Sequence, residues 1–221
     1  MVSRSEAALT LFEVGVVLAI LVILAAVFLS VLADSRRKEA RVFCSNNLKL
    51  VGLSYRIWEG DNNDKFPMAI SVTNGGTREL TQAGNAVASY QVMSNELSTA
   101  KILICPGEPG YPGDTNRIYN TNFATLSNSN VSYFVGVDVI DDSNPMLILS
   151  GDSDLLVGRR SVKAGPVLLR AGDSVDWQTN WHGPHRGYLG MGDGSVEMIT
   201  STNLPKYLLP AGAVTNRLAI P

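Results

Sequence analysis

The chain has 221 residues, with 18 basic and 20 acidic side chains and a net charge of −2. That balance supplies no basic face, which argues against nucleic-acid binding. Hydrophobic residues make up 45% of the chain, with much of the excess in the first 33 positions. The roughly 160 residues after Trp58 are enough for one domain with its own core.

In chain order, the first element is a charge-free run of twenty residues from Val14 to Ala33, preceded directly by Glu13. At about 1.5 Å per residue a helix of this length covers about 30 Å, the thickness of a bilayer's hydrocarbon core. A carboxylate beside such a run is costly in lipid and therefore points to a task. The helix continues as an amphipathic one, because Ala40, Cys44, Leu48, Val51, Tyr55 and Trp58 recur at steps of three and four. Gly52 weakens it and suits a bend or a close contact. Gly60-Asp61-Asn62-Asn63-Asp64 carries strong turn chemistry and ends it. A helix over residues 5–59 is expected.

Beyond Pro67 the pattern changes to short strands and loops. Strands are predicted at 101–104, 131–139, 146–149 and 167–169 from apolar and β-branched runs. Residues 188–191 and 195–199 flank Gly192-Asp193-Gly194 and form a predicted hairpin. The segment 71–97 has room for a helix, 108–130 is expected to be a long surface loop, and the proline-containing tail 204–221 to be poorly ordered.

Ala8-Leu9-Thr10-Leu11-Phe12-Glu13 followed by the apolar run resembles the type IV prepilin signal, shared by type IV pilins and type II secretion pseudopilins. The resemblance implies a leader over 1–8, cleavage between Ala8 and Leu9 by prepilin peptidase, and N-methylation of Leu9. Glu13 then takes the family's fifth mature position, where the carboxylate pairs with a neighbouring subunit's amine and sets the register of assembly. The family usually has Gly at the position of Ala8, and Phe or Met at that of Leu9. The stretch from Arg41 through Cys44, Asn46, Asn47, Leu48 and Lys49, with Asp61-Asn62-Asn63-Asp64-Lys65-Phe66-Pro67, resembles a pilin-like group abundant in Planctomycetes and Verrucomicrobia. Ile104-Cys105-Pro106-Gly107 matches that group's second element. Its C-terminal element is matched loosely by His182, His185, Asp193 and Gly194, with Ser195 where the group often has His.

Two other readings compete at the N-terminus. A secretory signal peptide has an apolar core of only about 7–15 residues, shorter than this run. An uncleaved signal anchor is the stronger rival. Arg36, Arg37, Lys38 and Arg41 follow the span closely while Arg4 is offset by Glu6, so the positive-inside rule points opposite to the topology that the resemblance implies.

Cys44 and Cys105 are the two cysteines. Outside the cytoplasm an even count makes a disulfide reasonable, and two buried free thiols are the alternative. His182 and His185 lie too close to Pro184 for a regular helical presentation, and structural hydrogen bonding is their expected role, with Asp176 and Asp193 the nearby acids. Asp138, Asp141, Asp142, Asp152 and Asp154 lack the spacing of an EF-hand and are read by default as turn and solubility residues, with calcium, which the resemblance to major pseudopilins implies, as the alternative. Ser195 lacks a nucleophile elbow.

The expectation is thus an α+β, pilin-like protein, with a long N-terminal transmembrane and amphipathic helix packed on an antiparallel β-sheet head. Residues 1–8 form the leader, 9–33 the transmembrane half of the helix, 34–60 its amphipathic half, 61–203 the head and 204–221 the tail. The expected function is that of a filament subunit, not an enzyme, with no cofactor and no metal. Its partners are the bacterial inner membrane, prepilin peptidase and other pilin or pseudopilin subunits, with no nucleic acid and the head on the periplasmic side. The alternative is a membrane-anchored module that binds a ligand or glycan without polymerising.

Overall fold

A computed structural model describes residues 11–108, 120–178, 181–208 and 215–221. It divides into two units, one ending at Glu39 and one beginning at Ala40. The first α-helix, α1 (Leu11–Asp61), belongs to both.

In the first unit, Leu11–Leu32 is the one helical stretch among the described residues that is long and apolar enough to cross a membrane. Its 22 residues cover about 33 Å. Every side chain in it is exposed, and Glu13 lies in the first turn. A helix that is apolar on all sides has no aqueous face to present, which distinguishes it from the amphipathic residues that follow.

In the second unit, Cys44, Leu48, Val51, Tyr55 and Trp58 are buried along one side of α1, each at 5% exposure or less. The helix stops where the sequence changes to Asn and Asp. The Asn62 and Asp64 amides donate to the Glu59 carbonyl, and Asn63 and Asp64 take left-handed φ values of 57° and 53°. Both residue types tolerate that conformation.

Three short helices follow, α2 (Arg78–Gln82), α3 (Ala86–Val92) and α4 (Ser94–Leu97). Asn85 caps α3 by accepting the Ala88 amide at 3.2 Å. The main sheet has six strands: β1 (Tyr133–Gly136), β2 (Ile148–Asp152), β5 (Gly165–Arg170), β7 (Arg186–Met191), β8 (Val196–Thr200) and β9 (Thr215–Ile220). Their spatial order is β5-β9-β1-β2-β7-β8, and every neighbouring pair is antiparallel. A second, three-stranded sheet joins β3 (Leu155–Val157), β4 (Arg160–Ser161) and β6 (Val175–Trp177).

Alternation along the strands gives the main sheet two apolar faces. Tyr133, Val135, Leu149, Tyr188 and Ala219 join the core that holds α1 and α3, with Tyr55, Phe66 and Tyr90 at its centre. Phe134, Ile148, Leu189, Leu218 and Ile220 point the other way, toward Trp177, Leu155 and a last helix, α5 (Leu204–Leu208). The unit is therefore a mixed helical and antiparallel-sheet structure, with a helical layer on one face and α5 plus the small sheet on the other.

The predicted hairpin forms, with Tyr188 opposite Met198 and Gly190 opposite Val196. Two expectations need correction. Residues 100–103 form a 3-10 turn, not a strand: the Thr99 hydroxyl caps it through the Lys101 amide. The tail is ordered where it is described. Leu204 and Leu208 are buried, and β9 sits inside the sheet between β5 and β1. The prolines do not prevent this, because Pro205 lies in the first turn of α5 and Pro221 follows the end of β9. Of the expected long loop, 120–130 holds two 3-10 turns, Phe123–Thr125 and Asn128–Asn130.

Candidate functional site

Of the residues that the sequence singled out, Cys44, Cys105, His182 and Asp152 come together where α1 meets the sheet. Cys44, on the buried side of α1, is joined to Cys105 by a disulfide that spans 61 positions. Around it the backbone is held tightly. Asn47 Nδ2 donates to the Ile104 carbonyl at 3.0 Å, and the Cys105 amide donates to Ser132 Oγ at 3.0 Å. The Gly107 amide lies 3.3 Å from both sulfurs and donates toward them. This link ties α1 to the 3-10 turn and to the start of β1, where Ser132 in turn donates to Glu108 at 2.8 Å.

His182 completes the cluster. It is 1% exposed, with Nε2 3.4 Å from Cys105 Sγ and 3.1 Å from Asp152 Oδ2. Its ring packs edge-on against Tyr188 at 4.8 Å between centroids. Asp152, at the end of β2 and fully buried, also accepts the Tyr188 amide at 2.7 Å. Asp152 Oδ1 and His182 Nδ1 are buried and have no hydrogen-bond partner among the described residues. Groups of this kind are costly in a protein interior. Nearby Asp154 has its carboxyl pushed up to about 7, first by burial and then by the charges of Asp152 and Glu108.

His185 goes elsewhere. It is exposed, takes a φ of 57°, and places Nδ1 3.2 Å from Asp176 Oδ1. Burial alone would raise the Asp176 carboxyl, but hydrogen bonds from Ser201, His185 and the Trp177 amide hold it low. The two histidines are thus three residues apart in sequence and serve separate acids. Asp193 faces neither of these contacts: its carboxylate accepts the Ser195 amide at 2.8 Å, and its carbonyl accepts Arg56 Nη1 at 3.0 Å. Gly194 takes φ +82° in the hairpin turn, and a Cβ on Gly52 would lie 3.2 Å from its Cα. A side chain at Gly52 would therefore press on the turn backbone, and Gly194 is needed for its left-handed φ.

The aspartate series is dispersed rather than gathered. Asp138 pairs with Arg217, whose Nε donates at 2.9 Å. Asp141 pairs with Lys65 at 2.6 Å, which with hydrogen bonds from Ser143 lowers its carboxyl to about 2. Asp142 faces Arg56 at 3.6 Å, while Asp152 and Asp154 belong to the disulfide cluster. An open surface hollow of about 660 Å³ is lined by Asn85, Gln91 and Ser127, among others. Its amides are already engaged: Asn85 caps α3, and Gln91 Nε2 donates to the Phe123 carbonyl.

Ala8 and Leu9 lie outside the described residues. One feature escaped the sequence reading. Phe43, Leu50, Leu53 and Ile57, at steps of seven, three and four, form an exposed apolar stripe on α1, each 45–52% exposed. The spacing alone carried the signal, but the buried stripe on the other side masked it. No protein-family model matches the chain, and no match was found among the curated proteins or the solved structures.

Proposed function

We propose that the chain is a pilin-like or pseudopilin-like filament subunit, stored in the bacterial inner membrane by its N-terminal helix and assembled through that helix after prepilin peptidase cuts between Ala8 and Leu9. The observation that carries this reading is Glu13 at the start of the apolar run, directly after Thr10-Leu11-Phe12. A carboxylate there is tolerable in lipid when paired, and pairing it with the new N-terminal amine of a neighbour sets the register between helices. The apolar stretch Leu11–Leu32 supports the reading through its length. So does the stripe of Phe43, Leu50, Leu53 and Ile57, which leaves α1 with apolar side chains to bury beyond those the sheet covers. The disulfide cluster serves this function by fixing α1 to the head, and no turnover is assigned to it.

Mass spectrometry of the intact protein and of its N-terminal peptide, isolated from native membranes, tests the proposal. The expected product begins at N-methylated Leu9. A chain that keeps residues 1–8 rejects prepilin processing and favours the membrane-anchored binding module.

A further inference from the structure

We infer that the cluster of Cys44, Cys105, His182 and Asp152 is a redox-gated zinc site: under reducing conditions the two sulfurs, the imidazole and the carboxylate hold one Zn²⁺ at the point that the disulfide otherwise occupies. The donor chemistry fits. One ligand atom each from Cys44, Cys105 and His182 lie within 4.8 Å of one another, and all three residues are buried. Asp152 Oδ2 adds an oxygen 3.1 Å from His182 Nε2. Zinc takes four such ligands in a tetrahedron with bonds of about 2.0–2.3 Å, so neighbouring donor atoms stand about 3.3–3.8 Å apart. The distances from His182 Nε2 to Cys105 Sγ, 3.4 Å, and to Asp152 Oδ2, 3.1 Å, are already near those edges.

Two further observations point to a ligand. Asp152 Oδ1 is an acceptor in a side chain 1% exposed, and it has no partner among the described residues. A cation beside it would compensate that buried carboxylate. Part of the outer shell is also present: the Gly107 amide aims at both sulfurs from 3.3 Å and the Tyr188 amide fixes Asp152 at 2.7 Å, while His182 Nδ1 has no partner among the described residues. While the disulfide is intact its sulfurs are not thiolates, and the site is closed to metal.

A phosphine reductant with one water cleaves the disulfide, giving two thiols and the phosphine oxide. Zinc then displaces the two thiol protons to solvent and forms two Zn–S bonds. A two-electron oxidant such as a disulfide reverses the sequence, rejoining the sulfurs and expelling Zn²⁺. In either state α1 stays tied to the segment around Cys105, by a covalent bond in one and by a metal in the other.

The test uses the full chain in detergent micelles, reduced with a phosphine under anaerobic conditions and titrated with Co²⁺ as a spectroscopic probe, then with Zn²⁺ in competition. The expected result is one Co²⁺ per reduced chain, with thiolate charge-transfer and tetrahedral ligand-field bands, and no such bands for the oxidised chain. His182→Ala and Asp152→Asn are expected to weaken binding at least tenfold, with near-ultraviolet circular dichroism recorded on each to establish that the fold persists. Because either variant can disturb the core, X-ray absorption on the zinc-loaded wild type supplies an independent readout, expected to count two sulfur and two nitrogen or oxygen ligands. Absence of the cobalt bands from the reduced chain overturns the proposal. So does a different ligand count, or unchanged affinity in a folded His182→Ala variant.

Discussion

Replacing both cysteines by alanine is the perturbation whose size the structure fixes best. The disulfide closes a loop across 61 positions. In the chain-entropy model a loop of that length restricts the unfolded chain by about 14 cal/mol/K, which is about 4 kcal/mol at 25 °C. Alanine avoids stranding a buried hydroxyl, and each lost sulfur leaves a small void that adds of order 1 kcal/mol. A typical domain is stable by only about 5–15 kcal/mol, so the loss is a large share of the total. Trp58, Trp177 and Trp181 all lie in the second unit. Their fluorescence during urea unfolding of the full chain in detergent therefore reports on that unit, and EDTA excludes any metal contribution. The loop and the two voids together come to about 6 kcal/mol, so with a urea dependence near 2 kcal/mol per molar the midpoint is expected to fall by about 3 M. A loss below about 1 kcal/mol at unchanged slope would refute the reasoning, because it would mean that the hydrogen bonds of Asn47 and Ser132 hold the junction without the covalent link.

Other outcomes follow from particular contacts. A Cβ on Gly187 would sit 2.6 Å from the Trp177 ring, so Gly187→Ala is expected to cost about 1–3 kcal/mol by overpacking, and an unchanged thermal midpoint refutes that. The Asp154 carboxyl moves from an ordinary 3.8 to about 7 in the fold. Between those values the native state keeps a proton that the unfolded chain has released, so stability declines as pH rises from about 4 to about 7 and levels off above. Asp154→Asn is expected to flatten that decline and raise stability at pH 8 by roughly 2–4 kcal/mol, as read from denaturant midpoints across pH; a variant that keeps the slope counts against it. Leu53 is 52% exposed on the outer stripe of α1. Leu53→Glu is therefore expected to change stability by less than about 0.5 kcal/mol while abolishing filament recovery from cells, and normal filaments from this variant would remove the stripe from the assembly surface.

The sequence alone determined the features that depend on local periodicity. The charge-free run, the inner stripe of Cys44, Leu48, Val51, Tyr55 and Trp58, the helix stop at the Asn and Asp cluster, and the hairpin around Asp193-Gly194 all follow from spacing and turn chemistry within a few residues. Tertiary structure decided what depends on distant partners. Nothing local marks 215–220 as an inner strand, because its ladder is supplied by β5 and β1. The 101–104 run has strand composition, yet its backbone bonds singly to Thr99, Asn47 and Ser132 instead of to a ladder. His182 and His185 look equivalent in sequence. The fold buries one beside a cysteine 77 positions away and leaves the other at the surface on Asp176. Local pattern fixes which residues share a face, whereas packing of remote segments fixes which of those faces meet and which side chains lose contact with water.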